Sequence, residues 1–99
     1  MRATSSGHSA GEIGRLREQI VGLADADCVC PEDGTRLLAA LDRALRAAAA
    51  GDLPAVRAGI ERFIAGIQGL LGVGLLAERD GCAPLATARA LLDTLRGAC

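Results

Sequence analysis

From Leu37 to Leu71 apolar residues return at three- and four-residue steps, and the run is broken once, at Gly51-Asp52. That single short break limits the fold more than any other feature of the chain. Before it, Leu37, Leu38, Leu41, Ala44, Leu45 and Ala48 share one helical stripe, with Arg36, Asp42, Arg43 and Arg46 opposite. After it, Val56, Ile60, Phe63, Ile64, Ile67, Leu70 and Leu71 form a second stripe. Gly51 suits the position just past a helix end, where a left-handed backbone is wanted, and Asp52 suits an N-cap. Pro54 falls in a first turn, where a missing N–H costs nothing. The spacing therefore predicts a helix over 35–50 and another beginning just after Asp52 and running to Gly72. A link this short makes the two antiparallel neighbours.

The flanks carry weaker versions of the same pattern. Ile13, Leu16, Ile20, Leu23 and Ala24 predict a helix over about 12–24, weakened by Gly14 and Gly22. Asp25 to Gly34 reads as a turn-rich link, because Pro31 disfavours the helical region for Cys30 and Gly34 or Thr35 can start the next element. Gly72 and Gly74 end the third helix. Asp80, Gly81 and Pro84 set up a fourth over 83–97, with Leu85, Ala88, Leu91, Leu92 and Leu95 on its stripe. Met1 to Ala10 is small and polar, so residues 1–11 are expected to be disordered and 12–99 to form one domain. Apolar residues make up 51% of the chain but include one aromatic, Phe63, so the core must be Leu, Ile, Val and Ala. Ala and Leu favour helices over strands. The expected fold is all-α, an up-and-down bundle of three long helices plus a weaker N-terminal one.

Composition also narrows function. The net charge is −1 and every basic residue is Arg. There is neither a basic stripe nor an aromatic platform, which argues against nucleic-acid binding. Met1 to Ala10 lacks the apolar run of a signal peptide, so the chain as written is not expected to export itself. Phe63 to Ala77 is too short, and too interrupted by Gln68 and glycines, for a membrane span.

The four cysteines, Cys28, Cys30, Cys82 and Cys99, are the feature that asks for a chemical explanation. In an up-and-down bundle the links holding Cys28, Cys30 and Cys82 lie at one end and Cys99 at the other. This favours a bridge from Cys28 or Cys30 to Cys82 as the disulfide candidate, ahead of reduced inert thiols and of metal or redox duty. A metal site is not expected: Cys28-x-Cys30 lacks the usual two-residue spacing, and His8 sits in the polar head. Glu32-Asp33 and Asp25/Asp27 read as solvated turn carboxylates, without the regular oxygen run of a calcium loop. No nucleophile–base pair and no phosphate loop is legible, so neither catalysis nor a cofactor is expected. Gly59 and Gly66 fall on one flank of the third helix, where tight packing inside the bundle is the first reading and a homodimer groove the second. Gly69 lies further round and is expected to be exposed. The arginines Arg36, Arg43, Arg46, Arg57, Arg62, Arg89 and Arg96 read as a solvated surface partly paired with Asp42, Glu61 and Asp93.

Leu38, Leu41 and Ala44, then Gly51-Asp52, Glu61-Arg62-Phe63-Ile64 and Ile67, a Gly-containing exit at Gly72 or Gly74, and a closing Leu91-Leu92 helix resemble the FIMAH domain. This helical module is found at the C-terminal end of secreted bacterial hydrolases and other extracellular proteins. The likeness covers Glu12 to Arg96, and the four cysteines depart from its pattern. It implies a non-catalytic accessory module of a bacterial extracellular protein, with a protein or cell-envelope partner and with Phe63 and Ile64 in the core. The alternatives are a small cytoplasmic protein that self-associates through Gly59 and Gly66, and a redox or metal sensor built on the cysteines.

Overall fold

Three of the four helices of this protein end in the same hydrogen-bonded motif. In the computed structural model, which describes the backbone of residues 4–97 and the side chains of residues 11–95, the order is α1 (Thr4–Asp25), α2 (Pro31–Ala49), α3 (Leu53–Gly72) and α4 (Glu78–Gly97). At the end of α2 the Asp52 N–H donates to the Ala47 carbonyl at 2.9 Å and the Gly51 N–H to Ala48 at 3.1 Å. At the end of α3 Leu75 donates to Leu70 at 3.0 Å and Gly74 to Leu71 at 3.3 Å. These are paired Schellman bonds closing over a left-handed residue, with φ +75° at Gly51 and +76° at Gly74. α1 closes likewise, Cys28 donating to Leu23 at 2.8 Å and Asp27 to Ala24 at 3.1 Å, but its left-handed residue is Asp27, at φ 59°.

Among the described residues the helices meet as a ring, α1 on α2, α2 on α3, α3 on α4 and α4 on α1. The apolar stripes converge inside it. Ile13, Leu16, Ile20, Leu41, Ile60, Phe63 and Ile67 are fully buried, and Ala44, Val56 and Ala88 fill the remaining space. The lone aromatic is thus a central core residue, and Ile64 packs against the core's edge. Gly51-Asp52 forms the tight turn between α2 and α3, and the Asp52 carboxylate accepts a hydrogen bond from the Ala55 N–H at 3.2 Å. Gly59 and Gly66 face α2. A Cβ on Gly59 would come within 3.0 Å of the Ala44 Cβ and 3.3 Å of the Ala40 carbonyl oxygen, and one on Gly66 within 2.9 Å of a Leu37 methyl.

Several boundaries differ from the expected ones. α1 begins at Thr4, ahead of the start expected near residue 12, and spans 22 residues. Its small polar head carries no apolar period to announce it. α2 begins at Pro31. Proline at the first helical position needs no N–H partner, and Cys30 before it is extended, at φ −58° and ψ 142°, as the proline requires. α4 begins at Glu78, with the Asp80 and Gly81 N–H groups both donating to the Ala77 carbonyl. Gly81 is therefore no turn residue but a buried helical contact: its Cβ would meet Leu71 and Leu76 methyls at 2.9 and 3.1 Å. Pro84 lies inside the helix and fully buried, its ring taken up by the core.

Candidate functional site

α2 and α3 approach closely because the residues between them are small, and that closeness leaves a groove on their outer side. Three contiguous hollows run along it. The first, of about 220 Å³, lies over Ala40, Ala55, Ala58 and Gly59. The second, of about 370 Å³, lies over Leu37, Ala39, Ala40 and Gly66. The third, of about 200 Å³, lies over Leu37, Ala65, Gly66 and Leu70. Arg43 and Arg62 line both the first and the second, and Arg36 lines both the second and the third, so the hollows form one trough. Its floor is mainly apolar, and its rims carry arginine from both helices. Arg36, Arg43 and Arg62 make no ion pair with any described residue. Asp33 lines the trough only at the far end, and Gly69, exposed as expected, sits there too.

The arginines were expected to be partly paired with Asp42, Glu61 and Asp93. Asp42 instead takes Arg17 of α1, whose Nε donates to its Oδ1 at 3.0 Å across the α1/α2 seam. Both partners are exposed, so the pair is worth at most about 1 kcal/mol. Asp42 is thus not paired with any of the three rim arginines, none of which makes an ion pair with a described residue.

Cys28 and Cys30 lie in the α1–α2 link and Cys82 in the first turns of α4, at the same end of the bundle. Cys28, Cys30 and Cys82 are free thiols, and the expected bridge to Cys82 is not formed; Cys99 lies outside the described residues. The physical reason is the early start of α4. Cys82 stands within the helix, not in the link before it, and the residue facing Cys28 is Asp80, about 200° round the helix from Cys82 at 100° per residue. Cys82 is exposed. Burial pushes the half-buried Cys28 thiol above its ordinary range. The Asp80 carboxylate, which it meets both as a charge and as a hydrogen-bond acceptor, and Asp27 push it further, against a lowering by Arg79. Its Sγ also lies 3.8 Å from the Ala26 carbonyl oxygen. A thiol held protonated in this way is a weak nucleophile at neutral pH. His8 belongs to α1, but its side chain lies outside those described. Among the described residues no three His, Cys, Asp or Glu side chains converge as metal ligands, and no helix is long and apolar enough to cross a membrane.

Comparison with protein families, with curated proteins and with solved structures finds no match to this chain.

Proposed function

We propose that this chain is a non-catalytic helical interaction module, carried as an accessory domain by a larger bacterial protein in an extracellular setting and directed at a protein or cell-envelope partner. The observation that supports the interaction role is the α2/α3 trough, a mainly apolar depression whose three flanking arginines make no ion pair with any described residue. The extracellular setting draws on the likeness to the FIMAH domain. Its quoted residues have clear structural duties here: Gly51 and Asp52 make the α2–α3 turn and Phe63 fills the core.

The test is photo-crosslinking with a photoreactive amino acid placed at Ala58, in the trough, or at Ala90, exposed on α4. The two single-site variants are incubated with bacterial cell-envelope and secreted fractions. A saturable crosslink from either position, displaced by excess unmodified protein, is the expected result. Silence from both positions, or reproducible turnover of a substrate by the folded chain, overturns the reading.

A further inference from the structure

We infer that the trough between α2 and α3 is a docking site for an acidic amphipathic helix of a partner protein, a step that rests on the reading of the chain as an interaction module. Length comes first. The trough follows α3 from Ala55 to Leu70, which at 1.5 Å per residue is about four turns and more than 20 Å, a span that suits a helix lying in a groove.

The shape of the floor comes next. Alanine on both walls and glycine on α3 leave Leu37 and Leu70 as the larger apolar side chains along the trough, so Leu- or Ile-sized side chains from outside can enter between them. On an α-helix such knobs recur at three- and four-residue steps on one face. The floor offers no aromatic ring and few polar groups, which disfavours a nucleic-acid strand, since single strands are held largely by base stacking on aromatic side chains.

Charge then selects among apolar helices. Arg36 and Arg43 stand two turns apart on one wall, with Arg62 on the other. They complement acidic residues that flank the partner's apolar face on both sides. The same charges disfavour a second copy of this chain seated on its own trough. Twofold symmetry would set each arginine cluster against its twin, and like charges brought together cost free energy. The direction in which Gly59 and Gly66 lack a Cβ is moreover already taken by Ala44 and Leu37 of α2.

The experiment titrates the isotopically labelled full chain with stapled helical peptides and follows backbone amide shifts. The probe carries leucine at three- and four-residue steps with glutamate flanking. Its controls replace leucine by glutamine, or glutamate by lysine. Saturable shifts at Ala39, Ala58 and Ala65 with the Leu/Glu peptide are expected, with at least about tenfold weaker binding of either control. Each of Arg36→Ala, Arg43→Ala and Arg62→Ala should weaken binding about two- to fivefold. The triple variant Arg36→Glu/Arg43→Glu/Arg62→Glu should reverse the preference toward the lysine peptide. These side chains lie on the surface, and an unchanged melting temperature shows that the variants remain folded. No shift in the trough at about 1 mM peptide, a concentration that would populate even a weak complex, overturns the proposal. So does equal binding of polyglutamate, which has the charge without the apolar face. Crosslinks from Ala90 with none from Ala58 would overturn the trough as the docking site and leave the module reading standing.

Discussion

Asp27 holds a backbone conformation that glycine holds at the ends of α2 and α3. Its φ of 59° brings its Cβ toward the following carbonyl, which costs an L-residue on the order of 1 kcal/mol, partly relieved for Asp by its short polar side chain. Asp27→Gly should therefore stabilise the fold by about 0.5–1 kcal/mol, raising the melting temperature by a few degrees in thermal unfolding followed by circular dichroism. An unchanged or lower value would mean that the carboxylate has a compensating role in the link. The neighbouring thiol supplies a second prediction at this scale. Because Asp80 disfavours the thiolate of Cys28, Asp80→Asn should lower the pH at which Cys28 alkylates and speed its reaction with iodoacetamide at neutral pH. In the parent chain, mass mapping of the alkylated peptides should find Cys28 modified more slowly than the exposed Cys30 and Cys82.

At the scale of the helix, glycines that look alike in the sequence do opposite things. A Cβ on Gly14 or Gly22 of α1 meets nothing within 4 Å, so Gly14→Ala and Gly22→Ala should each stabilise by about 0.5–1 kcal/mol through helix propensity. Gly59→Ala presses instead on the Ala44 Cβ and the α2 backbone, which cannot give way cheaply, and should destabilise by about 1–2 kcal/mol. Gly66→Ala meets only the end of the Leu37 side chain and should fall between them. Urea midpoints of the four variants check the ordering, and equal behaviour at Gly14 and Gly59 would refute it. Gly59 and Gly66 were legible in advance, because a helical wheel places both on the flank of the Val56–Leu71 stripe, and Gly51, Asp52 and Pro54 were legible as turn, cap and first-turn residues. Gly81, Pro31 and Pro84 were not. A glycine or proline near a boundary reads as a turn, and only the burial of Gly81 and Pro84 reveals that the helix has already begun. The N-terminal turns of α1 were illegible for another reason, since their small polar residues give no apolar period. The trough lay beyond the sequence altogether: its arginines were visible one helix at a time, but the depression exists only where two helices meet.

For the whole molecule, the ring makes α1 an equal partner. It supplies Ile13, Leu16 and Ile20 to the centre, all fully buried. Burial of side chains like these contributes roughly 1.5–3 kcal/mol each, a sum comparable with the whole stability of a domain this size, about 5–15 kcal/mol. A chain lacking residues 1–25 should show no cooperative melting in far-ultraviolet circular dichroism. A sharp transition within a few degrees of the full chain's would instead make α1 an accessory to a three-helix core. The same ring also brings the first turns of α1 and the last turns of α4 together. Because α1 and α4 are neighbours in an up-and-down order, the start of α1 and the end of α4 lie at the end that holds the Gly51-Asp52 turn. A body with its entrance and exit side by side can be spliced into a surface loop of a host protein without prising the host apart, hanging by one end like a lantern while the flank between α2 and α3 faces outward.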